Sequence, residues 1–202
     1  MRRILILLSC FAGFLLTTQQ VYAKYIPEEG DIIFHTSNSN LSAAIQAVTH
    51  SPYSHMGIVL FKEGQPYVFE AVNPVKYTPL DKWIKRGNKG KYVVKRLNTP
   101  LTTLDKKQLN DAAQTYIGKP YDIRFEWSDQ KIYCSELVWK MYHDALDIKL
   151  ATLDNFGSYD VSHPIVAKKV KEIYGNHFPV NEKVIAPVAI YDSPLLMTVA
   201  TD

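Results

Sequence analysis

Apolar positions in the first half of the chain come in short runs and alternations, while in the second half they recur at helical spacing. Asp31-Ile32-Ile33-Phe34 reads as a strand after the turn-like Pro27-Glu28-Glu29-Gly30. Leu41, Ala44, Ile45 and Val48 recur every three or four positions, which predicts a short helix with Asn40 as its cap. Two apolar runs, His55 to Phe61 and Pro66 to Val72, flank the turn-rich Lys62-Glu63-Gly64-Gln65 and predict a hairpin. Thr78 followed by Pro79 has the form of a helix start, cap then proline, so a helix is expected through Trp83 and Ile84 to Gly87. Lys91 to Leu97 alternates weakly and reads as a further hairpin-type strand. The best-punctuated helix runs from Thr103 and Asp105 to Ile117, with Gly118 after it and Pro120 beyond. Two more are expected over Tyr133 to Leu146 and Ser162 to Tyr174, the second stopped by Gly175. The last twenty residues are apolar and broken by prolines, and no element is assigned to them. Strands first and helices afterwards predict an α+β fold.

The N-terminus follows a different logic. Arg2 and Arg3 precede an almost unbroken apolar run from Ile4 to Leu16, then a polar stretch and Val21-Tyr22-Ala23. That is the pattern of a secretory signal cut after Ala23, and the apolar run is shorter than the ~20 residues a membrane span needs. Residues 1–23 are therefore expected to be removed, leaving 24–202 as a single domain in the periplasm or outside the cell. With 47% hydrophobic and 12% aromatic residues the chain can bury one sizeable core, and it shows no repeat or low-complexity linker.

Charge narrows the function. Without Arg2 and Arg3, the 23 basic and 20 acidic residues fall to 21 against 20, too even for a protein that holds nucleic acid or an anionic membrane by bulk charge. No nucleic-acid partner and no stable membrane anchor are expected, so function belongs to a local site. Cys10 and Cys134 make no disulfide framework, and no Cys/His cluster has zinc spacing, so a metal-stapled fold is not expected. Removing the signal leaves Cys134 unpaired in an oxidising compartment, which points to intermolecular pairing or a reactive thiol.

Cys134 opens a predicted helix whose stripe continues through Leu137, Val138, Met141 and Ala145. A cysteine on such a stripe reads first as a small core residue. Its place in the first turn supports a second reading, because unpaired backbone N–H groups and the positive dipole end favour a thiolate there and can hold an oxyanion. A thiolate nucleophile wants an imidazole. His143 lies more than two turns along the same helix and cannot reach the thiol. His163 and His177 read as loop residues, and His35 and His50 have no companion carboxylate in the sequence. His55 opens the first hairpin strand and Glu70 lies on the second. If Phe61 faces Pro66, His55 and Glu70 point to one face as diagonal neighbours, ~7–8 Å apart at the backbone. A solvated Glu70 and a turn His55 satisfy the same pattern.

Tyr116-Ile117-Gly118-Lys119-Pro120-Tyr121 followed by Tyr133-Cys134-Ser135-Glu136-Leu137-Val138 resembles the NlpC-type papain-like pattern, a G-x-P-Y segment ahead of a helix beginning D-C-S-G-L-V. In ordinary members the cysteine comes before the histidine strand. Here Tyr53-Ser54-His55-Met56-Gly57-Ile58-Val59 and Val68-Phe69-Glu70-Ala71 come first. With Gly30-Asp31-Ile32-Ile33-Phe34 ahead of them, that order resembles the circularly permuted YaeF/YiiX branch of papain-like enzymes, over nearly all of residues 24–202.

The resemblance implies a permuted papain-like fold, an antiparallel sheet or partial barrel packed on helices. It also implies a cysteine hydrolase of amide or ester bonds in amino-acid, peptide or cell-wall-derived substrates, with Cys134, His55 and Glu70 as triad and no cofactor. Tyr121 matches the family tyrosine near the oxyanion, and Tyr133 and Ser135 flank the nucleophile as oxyanion or substrate contacts. Tyr133 stands where the pattern has aspartate, and Glu136 where it has glycine. Glu136 reads either as a helix cap or, pointed inward, as a carboxylate that opposes the thiolate. Two other functions fit the same chain: a lipid-directed thiol acyltransferase or lipase using the apolar stretch Ile185 to Val199, and a non-catalytic binding protein with Cys134 buried.

Overall fold

The alternation of the first hundred residues is resolved as one antiparallel sheet closed by a strand from the far C-terminus. The computed structural model describes residues 25–202; the expected signal segment, Cys10 included, lies outside the described residues. In chain order the elements are β1 (Ile32–His35), α1 (Ser42–Thr49), β2 (His55–Lys62), β3 (Gln65–Glu70), β4 (Lys76–Pro79), α2 (Leu80–Arg86) and β5 (Val93–Leu97). They continue with α3 (Thr103–Tyr116), α4 (Cys134–Leu146), β6 (Asp154–Asn155), α5 (Pro164–Tyr174), β7 (Lys183–Val184), α6 (Pro187–Tyr191) and β8 (Leu196–Thr201). Six strands form the sheet in the order β4-β3-β2-β1-β5-β8, and β6 pairs with β7 in a separate two-stranded ribbon. Among the described residues no helix is long and apolar enough to cross a membrane.

Side-chain alternation gives this sheet two apolar faces. Ile32, Phe34, Met56, Ile58 and Leu60 share one core with Leu109 and Ala113 of α3 and Leu137, Val138 and Met141 of α4. Ile33, Val59, Val68 and Val94 pack on the other face against Leu80 and Trp83 of α2. These side chains are almost wholly buried. Each contributes roughly 1.5–3 kcal/mol relative to exposure, enough to hold the sheet and α4 in fixed relation.

The β2–β3 hairpin has the expected register: Phe61 faces Pro66 and Ile58 faces Phe69. Its turn is tighter than the four polar residues suggest. Glu63 and Gly64 both have positive φ, 51° and 74°, so a two-residue connection joins the strands. Helix α3 carries a capping box in which Thr102 Oγ1 accepts from Asp105 N–H and Asp105 accepts from Thr102 N–H.

Three local readings need correction. Asn40 does not cap α1, whose N-cap is Leu41 without a side-chain bond. Thr78 and Pro79 are the end of β4, and α2 begins at Leu80, because the Thr78 hydroxyl donates to Glu70 Oε1 at 2.6 Å instead of capping a helix. The unassigned C-terminal stretch supplies β7, α6 and β8, with β8 on the sheet edge beside β5.

Candidate active site

Cys134 is the first residue of α4, with Tyr133 at the N-cap, so its backbone N–H is among those with no partner inside the helix. Cys134 is 2% exposed. Burial follows from the stripe read in the sequence, since Cys134 through Tyr142 are all buried. The two sequence readings of this cysteine, core residue and candidate nucleophile, thus describe one position.

His55 and Glu70 form a buried pair. His55 Nε2 lies 2.7 Å from Glu70 Oε2, which leaves Nδ1 as the ring nitrogen free for the thiol. Burial pushes the His55 pKa down. Hydrogen bonding and charge from Cys134 and from Glu70 outweigh it and lift the pKa to about 9. Burial likewise works against ionised Glu70, yet hydrogen bonds and charge from His55, Arg86 and Thr78 hold its carboxyl down to about 2. The arrangement is a carboxylate, an imidazole that favours its cation and a thiol, in that order.

Glu70 has more partners than hairpin geometry could suggest. Its Oε2 also accepts from Trp83 Nε1 at 2.9 Å and from an Arg86 guanidinium nitrogen. Trp83 stacks on His35, with ring centroids 3.8 Å apart at 15°, and His35 faces His55 in the β1–β2 register with centroids at 5.4 Å. Burial, then the charges of His55 and Arg86, lower the His35 pKa to about 3 and keep this second imidazole neutral. Sequence reasoning missed His35, Trp83 and Arg86. The His35-His55 pairing follows from placing β1 beside β2, but nothing local ties α2 to Glu70.

Tyr121 sits at the thiol. Pro120 O accepts from Ile132 N–H at 3.1 Å and Ile132 O accepts from Asp122 N–H at 3.2 Å, so the G-x-P-Y segment is strapped to the residue two before Cys134. Burial, then the charges of Cys134 and Asp122 together with a hydrogen bond to Cys134, raise the Tyr121 pKa well above its usual value and keep the phenol protonated as a donor. Tyr133 and Ser135 are engaged elsewhere. The Tyr133 hydroxyl accepts from Ile185 N–H at 3.1 Å, and Ser135 Oγ donates to Ile185 O at 2.7 Å.

Glu136 points away from His55 chemistry. Its Oε2 accepts from Tyr133 N–H at 3.3 Å and its Oε1 lies 2.9 Å from Lys140 Nζ, so it completes a capping box and a buried i, i+4 ion pair. Burial raises its pKa to about 7 against the pull of Lys140.

Cys134 also borders a shallow cleft of about 100 Å³, walled by Ala44 and Val48 of α1, Val166 and Val170 of α5, and Ile185. Lys169 is the charged residue of that lining and is paired with Glu172 at 2.5 Å. Neither His55 nor Glu70 lines the cleft. Cys134 therefore stands between a polar pair and an apolar hollow.

The family model described as permuted papain-like amidase enzyme, YaeF/YiiX, C92 family, matches residues 26–200. The chain belongs to that family. Permuted papain-like amidases are cysteine hydrolases, and the mixed α+β architecture with its antiparallel sheet against helices is theirs. A similar protein is the uncharacterized protein YiiX of Escherichia coli strain K12, 48% identical over 176 residues, or 87% of either chain. The crystal structure described as metalloprotein yiiX from Escherichia coli O157:H7 superimposes with a TM-score of 0.86 at 48% identity, covering 88% of this chain and 99% of that one.

That description raises the question of a metal in this permuted papain-like amidase. Among the described residues no group of three or more His, Cys, Asp or Glu side chains is arranged to hold a metal ion. At the thiol, His55 Nε2 is already held by Glu70. The described residues do not build a metal centre.

Proposed function

We propose that this chain is an exported cysteine hydrolase that cleaves an amide or ester bond through Cys134, His55 and Glu70. The observation that carries the reading is the buried 2.7 Å His55–Glu70 contact, which leaves the opposite imidazole nitrogen for a thiol at a helix N-terminus. Cys134 Sγ, its proton already passed to His55, attacks the substrate carbonyl and forms the S–C bond of a tetrahedral oxyanion. The Cys134 backbone N–H and the Tyr121 hydroxyl donate to that oxygen. The C–N or C–O bond breaks as His55 returns the proton to the leaving amine or alcohol. Water, deprotonated by His55, then attacks the thioester and releases the acid with the thiol restored. Glu70 holds the imidazole in one tautomer and stabilises its cation.

The substrate class proposed from the sequence is an amino-acid, peptide or cell-wall-derived amide. A second reading is favoured by the apolar cleft beside the thiol, which suits the chain of an acyl group better than a sugar or a charged peptide. Export rests on residues 1–23, and N-terminal sequencing of the exported protein should begin at Lys24. The catalytic reading is tested by iodoacetamide labelling of the native protein across pH, followed by a screen of aminoacyl amides and acyl esters. Cys134 should react faster than a model thiol at neutral pH, and His55→Ala should slow it in folded protein. Equal rates in the two proteins would remove His55 from the mechanism.

A further inference from the structure

Glu70 holds one more ligand than an orienting carboxylate needs. Thr78 Oγ1 on one oxygen and Trp83 Nε1 on the other already fix its plane, at 2.6 Å and 2.9 Å. Arg86 then brings a full positive charge to Oε2, the oxygen His55 uses. The Glu70 side chain is wholly buried, whereas 42% of the Arg86 side chain is exposed, so the cation reaches in from the surface. Arg86 is the last residue of α2, where the carbonyl end of a helix favours a cation, and its own carbonyl accepts from Asn38 Nδ2 at 3.1 Å.

We propose that Arg86 is a positioning residue of the site: by sharing Glu70 Oε2 with His55 it sets how much of the carboxylate's charge the imidazole feels, and so where on the pH scale the imidazolium releases its proton. The inference rests on the catalytic reading above. A buried carboxylate facing His55 alone would hold the imidazolium proton tightly, and an acid–base catalyst works best when it binds its proton near the working pH. The guanidinium offsets part of that charge without breaking the orienting hydrogen bond.

The groups facing His55 are few. They are Glu70 from β3, His35 from β1, Trp83 and Arg86 from α2, and Cys134 from α4, with Tyr121 beyond the thiol. His35 stays neutral across the working range. Lys85, the other cation in the last turn of α2, is exposed and lies 3.6 Å from Asp81. Arg86 is thus the fixed cation on the His55–Glu70 pair.

The test follows the His55 imidazole by NMR in full-length protein labelled at histidine Cε1, alongside the pH dependence of Cys134 alkylation by iodoacetamide. Arg86→Met should move the His55 titration and the high-pH limb of alkylation upward by roughly half to one pH unit, a ~3–10-fold tighter hold on the proton. Arg86→Lys, which keeps the charge, should stay within about 0.3 unit of wild type. Arg86→Gln, which removes the charge but keeps a hydrogen-bond donor, should move both titrations in the same direction as Arg86→Met. A uniform slowing of alkylation with both titrations unmoved, or Arg86→Lys behaving as Arg86→Met, would overturn the proposal. If Arg86→Met does not fold, Arg86→Gln and Arg86→Lys decide it, and an Arg86→Gln titration that stays at the wild-type position counts against it. Failure of the catalytic reading looks different: alkylation of Cys134 would be insensitive to His55→Ala, whatever the NMR titration shows.

Discussion

His55 Nε2 and Glu70 Oε2 meet at 2.7 Å although the two residues are diagonal rather than opposite in the β2–β3 hairpin. Continuing the register that pairs Ile58 with Phe69 sets Gly57 against Glu70. A Cβ at Gly57 would lie 2.4 Å from Val68 Cγ1, 2.8 Å from Phe69 O and 3.3 Å from Glu70 Cβ. The missing side chain lets the strands approach closely enough for the diagonal contact to close.

Gly57→Ala should therefore damage both the hairpin and the site. The crowding is against a strand backbone and a β-branched side chain, neither of which yields easily, so a destabilisation of about 1–3 kcal/mol is expected. Urea unfolding measures it, and iodoacetamide modification of Cys134 should slow in the folded variant. Wild-type values in both measurements would show that the hairpin has room to spare.

Glu70→Gln keeps the size of the side chain and removes its charge. His55 loses the anion that favours its cation, and turnover of an amide or ester should fall by about 10²-fold, less than in Cys134→Ala. The high-pH limb of alkylation should move down, opposite to Arg86→Met. If Glu70→Gln were fully active while Glu136→Gln was dead, the orienting role would pass to the carboxylate beside the nucleophile.

The raised His55 pKa also makes a statement about stability. The folded state binds this proton more tightly than the unfolded chain, with about 9 against 6.5, so the contribution is fully present below about pH 6.5 and is lost as pH rises through 9. Its size is on the order of 3 kcal/mol. Glu70 has the opposite sign, its contribution being present above about pH 4.5 and lost as pH falls towards 2. Denaturant unfolding between pH 6 and pH 9.5 should show the decline, and His55→Gln should flatten it. Cys134→Ala should reduce it too, since the thiol is the first of the groups that raise the histidine.

What could be read in the sequence was what local chemistry decides. The β2–β3 register followed from a short polar turn between two apolar runs, and α3 and α4 from caps and helical spacing. The start of α2 was misread because Thr78 uses its hydroxyl on Glu70, an interaction between strands that no dipeptide signal carries. Strand β8 was not seen because it pairs with β5 roughly a hundred residues earlier in the chain, and its own residues show no clear alternation. At the site, His55, Glu70 and Cys134 carried motif or register signals. His35, Trp83 and Arg86 did not, since α2 reaches Glu70 only once the sheet has formed.

Glu136 was open between a cap and an inward carboxylate, and its partners favour the cap. Lys140 Nζ lies 2.9 Å from Glu136 Oε1 and also donates to Asp129 at 2.8 Å and Ser128 O at 2.7 Å. Removing that cation in Lys140→Met leaves a buried carboxylate that can escape only by taking up a proton, and a loss of about 1–2 kcal/mol is expected at pH 8. Since burial already raises the Glu136 pKa to about 7, the folded state takes up a proton readily, and the loss should shrink at pH 5. Glu136→Gln should leave Cys134 alkylation near wild type. A loss from Lys140→Met that is the same at pH 5 and pH 8 would mean that Glu136 is not the group left uncompensated.

The cleft beside Cys134 separates the two substrate readings. If it receives the acyl portion, each methylene moved from water onto Ala44, Val48, Val166 and Val170 contributes about 0.8 kcal/mol, a rise in kcat/KM of roughly 3–4-fold per carbon until the cleft is full. A series of 4-nitrophenyl esters from about two to twelve carbons reads that slope directly. Val170→Trp fills the same volume without touching His55 or Glu70, so it should abolish the chain-length gain while leaving the two-carbon ester turning over at the wild-type rate. Aminoacyl amides with no long chain should be indifferent to Val170→Trp. A flat chain-length series with good turnover of aminoacyl amides would assign the cleft no part in substrate selection and favour the amide reading. A steep series that Val170→Trp flattens would identify the acyl chain as what this hydrolase recognises.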